Sequence, residues 1–212
     1  MQQDLPQRPV MGRSIGKIIF VLVAGLAGFL AALWSAGMFG GGRGLAFSDV
    51  SVKGWESDWA IGSPAAGMIT RARVARHGLL ALSKEEAIYF TRNTDDAGEP
   101  LLEACDYRLT GGDQPAQWWS LTLYDPDSLL PMNDDGALSL DRTKTGGADA
   151  WLATISARQP DHDGFWISSR NAKTFDLTLR LYRPVNAVLS DPEAHLNTPS
   201  IQRISCHEGA GR

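Results

Sequence analysis

Apolar residues follow two different rhythms along this chain: one unbroken block near the start, then alternating runs through the second half. From Ile18 to Phe39 no charge interrupts 22 residues rich in Leu, Ile, Val, Phe, Ala and Gly. A helix of about 20 apolar residues crosses the hydrocarbon core of a bilayer, so the block predicts a transmembrane helix. A cleaved secretory signal has a shorter apolar centre, about 7 to 15 residues, followed by a small-x-small cleavage site. No Ala-x-Ala follows this block, which favours an uncleaved anchor over a signal. Trp34 suits the aromatic belt at the outer interface. Ala24, Gly28, Ala32 and Ala36 recur every four residues and would line one helix face. Such a stripe permits close approach of a second helix, although chance within an Ala/Gly-rich span is the simpler explanation.

Beyond Cys105 the rhythm has a period of two. Cys105, Tyr107 and Leu109 alternate with Asp106, Arg108 and Thr110, the pattern of a half-buried strand. Trp119, Leu121 and Leu123 alternate with Trp118, Ser120, Thr122 and Tyr124. Phe175, Leu177, Leu179 and Leu181 alternate with Asp176, Thr178, Arg180 and Tyr182. Weaker strand candidates are residues 87 to 92, 137 to 142, 150 to 157, 165 to 168 and 201 to 205. A helix is expected over Met68 to Leu82, with Ile69, Ala72, Ala75 or Arg76, and Leu79 on its apolar side. A short helix is expected within Asn186 to Leu196.

Four segments result: a tail at 1–17, the span at 18–39, a flexible linker at 40–66 and a domain at 67–209. The linker boundary rests on Gly40-Gly41-Gly42-Arg43-Gly44, which resists helix, and on weak periodicity up to residue 66. About eight strands without strand-helix-strand alternation favour a mainly β fold, a β-sandwich of jelly-roll type, over a parallel α/β sheet.

Charge then fixes an expected orientation. Residues 1–17 hold Arg8, Arg13 and Lys17 against Asp4, so the N-terminus should stay cytoplasmic and the domain should be exported to the periplasm of a bacterial inner membrane. The rest of the chain has a formal net charge of −6. That balance offers no electrostatic footprint for nucleic acid. Cys105 and Cys206 are the only cysteines. In an oxidising compartment such a pair is expected to form a disulfide, the alternative being two buried thiols.

Chemistry-bearing residues are sparse. His77, His162, His195 and His207 show no metal-ligand spacing, and Asp161-His162-Asp163 reads as a turn. Asp125, Asp127, Asn133, Asp134 and Asp135 could supply oxygen ligands, but their spacing suits solvated turns better. Ser120 and Ser139 lack the Gly-x-Ser-x-Gly elbow of a hydrolase nucleophile. No catalytic residue, metal ligand or cofactor is expected. Trp118, Tyr124, Arg180 and Tyr182 should face away from the Leu-rich side of their strands, where they would form a ligand groove or partner surface. Packing under loops is the competing explanation for such large side chains.

Four runs together resemble a bacterial family, the domain of unknown function numbered 1214. They are Glu86-Ala87-Ile88-Tyr89-Phe90, Cys105-Asp106-Tyr107-Arg108, Pro115-Ala116-Gln117-Trp118-Trp119-Ser120-Leu121-Thr122, and Phe175-Asp176-Leu177-Thr178-Leu179-Arg180-Leu181-Tyr182. The resemblance implies a β-sandwich, in small anchored members preceded by a membrane helix. It also implies a separately encoded partner carrying the domain of unknown function numbered 1254. It implies no agreed reaction. Where many members continue after Asn133 with Asn-Arg-Tyr-Ser, this chain has Gly136-Ala137-Leu138-Ser139, and Gln117 replaces a common Arg. Any chemistry those residues perform in relatives is then missing here, though Asn133 itself remains a binding candidate. The functional expectation is a non-catalytic binding or assembly module of the cell envelope. The alternative is an envelope enzyme acting on a small molecule or glycan through the polar face of the sandwich.

Overall fold

A computed structural model describes residues 11–35, 49–59, 62, 66–76, 82–161 and 163–207. The chain separates into two compact units, residues 1–40 and 41–212. In the first, helix α1 (Met11–Ser35) contains the apolar stretch. Its Gly16–Trp34 segment has a mean hydropathy of 2.2, long and apolar enough to cross a membrane or to serve as a signal sequence. Ala24, Gly28 and Ala32 lie on this helix at four-residue spacing. Ala36, the rest of the expected span to Phe39 and the Gly40–Gly44 hinge lie outside the described residues.

The second unit is built from two sheets. Strands β1 (Val50–Val52), β2 (Trp55–Ser57), β3 (Ala87–Arg92), β5 (Ala116–Tyr124), β6 (Ser139–Asp141) and β9 (Asp176–Pro184) make one, in the order β1-β2-β3-β9-β5-β6. Strands β4 (Cys105–Gly111), β7 (Trp151–Ser156), β8 (Phe165–Ser168) and β10 (Ser200–Cys206) make the other, in the order β10-β4-β7-β8. Neighbouring strands are antiparallel except β7 and β8, which are parallel. Short helices α2 (Met68–Arg76), α3 (Arg142–Thr145), α4 (Asn186–Ser190) and α5 (Pro192–His195) lie between strands.

The alternation explains the layering. Leu177, Leu179 and Leu181 on β9, Trp119, Leu121 and Leu123 on β5, and Tyr107 and Leu109 on β4 are all fully buried and belong to one apolar cluster, to which Ile155 and Ile167 of the smaller sheet also contribute. Both sheets therefore turn their apolar faces to a shared core. Trp119 and Trp151 stack at 5.7 Å between ring centroids, and Tyr107 meets Phe175 edge-on at 5.9 Å. Gly111 makes room for the first of these pairs, because a Cβ there would lie 2.3 Å from the Trp151 ring. Cys105 and Cys206 sit opposite each other on β4 and β10 and form a disulfide.

Three local expectations need correction. The linker expected up to residue 66 in fact contributes β1 and β2, joined through Lys53 and Gly54, both at positive φ. This two-residue hairpin buries Val52 and Trp55, and the indole Nε1 of Trp55 donates to the Pro199 carbonyl at 3.0 Å. Strands of three residues are too short to display a period, so the pattern at 50–57 passes for loop. Helix α2 is described over Met68–Arg76, and residues 77–81 of the expected helix lie outside the described residues. It buries Val74 while Ala72 and Ala75 of the expected apolar face are exposed, because a nine-residue helix with so few apolar residues has too weak a periodicity to mark its inner side. Between residues 186 and 196 there are two helices, not one. Asp191 ends α4 and caps α5, its carboxylate accepting from the Ala194 N–H at 3.1 Å.

Candidate functional site

The outer face of the larger sheet is set by the register of its three long strands. On β9 the residues pointing away from the leucines are Asp176, Thr178, Arg180 and Tyr182. On β5 they are Trp118, Ser120, Thr122 and Tyr124, paired as Trp118 with Tyr182, Ser120 with Arg180, Thr122 with Thr178 and Tyr124 with Asp176. On β3, Tyr89 pairs with Arg180 and Thr91 with Thr178. Side chains directly opposite one another in antiparallel strands lie close enough to interact, so this register assembles one continuous polar surface.

Short hydroxyl side chains occupy the middle of this surface. Ser120, Thr122 and Thr178 are buried at 8%, 9% and 6% exposure, because they are short and flanked by larger groups. Thr91 and Thr178 share a hydroxyl hydrogen bond of 3.1 Å. Half-buried Trp118, Tyr124, Arg180 and Tyr182 lie around these residues, and Tyr89 is buried beside them. Trp118 and Tyr182 meet with 5.4 Å between ring centroids, and the Trp118 indole N–H donates to Thr143 Oγ1 at 3.1 Å. That bond takes the polar edge of the indole and leaves its ring as contact area.

Arg180 is the central cation. Its guanidinium carbon lies 5.8 Å from the Tyr89 ring centre and 5.1 Å from that of Tyr124, and Nη2 donates to Tyr124 Oη at 2.6 Å. Two aromatic rings thus hold the guanidinium by cation–π attraction. Arg92, Arg142, Arg170, Arg203 and His207 each pair with a carboxylate, whereas no carboxylate among the described residues forms an ion pair with Arg180. Burial holds the Tyr89 phenol above its ordinary range, and nearby Tyr182 adds to the effect, so it stays neutral.

Asp176 lies on the same face, four residues before Arg180. Burial pushes its carboxyl up to about 7, with Asp125 adding repulsion; a bond from Thr178 Oγ1 at 3.3 Å and the charge of Arg180 only partly oppose this. The carboxyl therefore exchanges its proton near neutrality. Sequence reasoning singled out neither Asp176 nor Tyr89. Period-two alternation put Asp176 on the polar side, but a shifted carboxyl has no sequence signature. Tyr89 joins the group through the pairing of β3 with β9, which only the folded chain supplies.

The structure brings Trp118, Tyr124, Arg180 and Tyr182 together and places Asn133 elsewhere. The Asn133 amide donates to the Arg170 carbonyl at 2.8 Å and its Oδ1 accepts from the Asp135 N–H at 3.2 Å. Arg170 grips Asp135 through Nε and Nη2 at 3.0 and 2.7 Å, contacts Asp134, and shares Asp135 with Ser168 Oγ at 2.6 Å. This is a tie between the β5–β6 and β8–β9 loops. Asp125 forms a turn, accepting from the N–H groups of Asp127 and Leu129, both at 2.9 Å. His207 bonds Asp106 at 2.8 Å beside the disulfide, His195 ends α5, and His77 and His162 lie outside the described residues.

Fold and site define a class: a two-sheet β domain whose larger sheet carries an aromatic and hydroxyl-rich outer face around one arginine. Residues 86–186 match the model of the family described as "Protein of unknown function (DUF1214)". The matched stretch runs from the start of β3 to α4 and includes every strand that builds the face. No curated protein matches the chain. Among solved structures, the VPA0106 protein from Vibrio parahaemolyticus is similar in fold, with a TM-score of 0.51 and 21% identity over 66% of this chain and 36% of that one. An uncharacterised protein from Burkholderia cenocepacia aligns with a TM-score of 0.35 and 18% identity, over 59% of this chain and 31% of that one. The chain thus spans about a third of the length of these solved relatives.

Proposed function

We propose that this chain is a single-pass protein of the bacterial inner membrane that exposes its β domain to the periplasm as a non-catalytic binding module of the cell envelope. One observation carries the reading: three aromatic side chains and an arginine with no ion-paired carboxylate among the described residues, which the alternation assigned to a common side of two strands, converge on a hydroxyl floor. Large rigid rings with a few placed donors are the composition of recognition surfaces. The apolar stretch of α1 and the basic residues ahead of that stretch, Arg8, Arg13 and Lys17, support the tether and its direction. The module works with a separately encoded partner bearing the domain of unknown function numbered 1254, and the stripe from Ala24 to Ala36 offers a further helix contact in the bilayer.

The test has two arms. Alkaline phosphatase fused after Gly44 is expected to be active, and an inactive fusion in well-expressed protein overturns the topology. Affinity capture from native membranes is expected to recover the partner with the unaltered chain and to lose it with Arg180→Ala and Tyr182→Ala combined. Recovery of no protein carrying that second domain counts against the module.

Asp176 favours a second reading, an envelope enzyme acting on a small molecule or glycan. A carboxyl that titrates at about 7 is suited to general acid or base work. On that reading the same double substitution abolishes turnover and leaves capture of the partner unchanged.

A further inference from the structure

The surroundings of Arg180 say what kind of group the face receives. A guanidinium removed from bulk water is costly unless a counter-charge meets it. Arg92, Arg142, Arg170 and Arg203 each meet a carboxylate within the domain. Arg180, half-buried on the sheet face, is instead wedged between two tyrosine rings, with one N–H committed to Tyr124 Oη. Rings fix the plane of a guanidinium without neutralising it. The remaining N–H groups keep the fork geometry that binds carboxylate or phosphate oxygens in pairs. The nearest acid along β9, Asp176, makes its hydrogen bond to Thr178 and not to Arg180.

Next to the cation is a second feature. Tyr182 follows Arg180 by two positions on the same side of β9 and faces Trp118 across the sheet. Two residues along a strand is roughly 7 Å. A ring resting on the Trp118–Tyr182 pair would therefore place a substituent two or three bonds away within reach of the guanidinium.

We propose that the face binds a small molecule consisting of a flat ring joined by a short stem to an oxyanion, with the oxyanion on Arg180 and the ring on Trp118 and Tyr182. This rests on reading the face as a binding surface and adds the chemical class of the ligand. Carboxylate and phosphate share the recognition chemistry.

The experiment titrates the detergent-solubilised full chain with 3-phenylpropionate, 2-phenylethyl phosphate and the neutral isostere 3-phenylpropionamide, following tryptophan side-chain N–H signals by NMR. At least one of the two anions should bind about tenfold or more tightly than the amide, with Trp118 Nε1–H among the shifted signals. Arg180→Gln should bring anion and amide affinities together, a preference for anions that survives Arg180→Gln overturns the oxyanion assignment, and the stronger anion identifies the ligand as carboxylate or phosphate. Equal binding of amide and anions overturns the oxyanion assignment and leaves the face a binding surface. Absence of binding by all three probes at 10 mM overturns both the ligand class and the reading of the face. Because the comparison of acid with amide uses the unaltered protein, the result does not depend on the variant folding.

Discussion

At the scale of single residues, Asp176 and Arg180 show how neighbours on one strand acquire different roles from burial and pairing. The Asp176 carboxyl is pushed up to about 7 in the folded chain, against about 4 in an unfolded one. As pH rises from about 4, the unfolded chain gives up this proton first, so ionisation favours unfolding until the folded-state carboxyl also titrates. The stability that Asp176 contributes is complete below about pH 4 and lost as pH passes 7. Asp176→Asn should therefore raise unfolding stability by about 2 kcal/mol at pH 8 and change it little at pH 4. Urea unfolding at both pH values checks this, and equal effects at the two would remove the titration argument. Alternation made the side of each β9 and β5 residue legible in advance, and so assigned Trp118, Tyr124, Arg180 and Tyr182 to one surface. The same alternation could not show that Arg180 forms no ion pair with a carboxylate among the described residues, because ion pairs form between residues far apart in the chain, such as Arg203 and Asp95.

Among the secondary-structure elements, the long strands were readable and the short ones were not. Strands β4, β5 and β9 run to 7, 9 and 9 residues, enough for several repeats of apolar and polar positions. The β1–β2 hairpin has three residues in each strand, and its Lys53-Gly54 turn is not the Asn-Gly or Asp-Gly pair that marks such turns most strongly. Its importance lies in Trp55, which is completely buried. Trp55→Ala should destabilise the domain by about 3–5 kcal/mol, because it removes a large side chain from the core and leaves the Pro199 carbonyl without its donor. A thermal melt indistinguishable from that of the unaltered chain would return residues 50–57 to the status of a linker. Half-buried Trp118 should lose less stability than Trp55 on change to Ala while losing ligand contact.

Over the whole molecule, the disulfide connects chain segments that are 101 residues apart, from the middle of the domain to its last strand. In the chain-entropy account, closing a loop of that length stabilises a fold by up to about 4.7 kcal/mol. Replacing Cys105 and Cys206 together by Ser should accordingly lower the urea midpoint by an amount equivalent to about 2–4 kcal/mol, and reduction of the unaltered chain should reproduce it. An unchanged midpoint in both would show that strand pairing alone holds the C-terminus. By itself the sequence determined a long apolar helix, a mainly β domain and the inward or outward side of its long strands. These follow from local periodicity and from hydrophobicity, which act over a few neighbouring residues. Only the tertiary structure decided the division into two sheets, the parallel β7–β8 pair, the union of Tyr89 with Arg180 and the proton affinity of Asp176. Each of these depends on which distant segments lie side by side and on how much water they exclude, and neither quantity is encoded in any single stretch of chain.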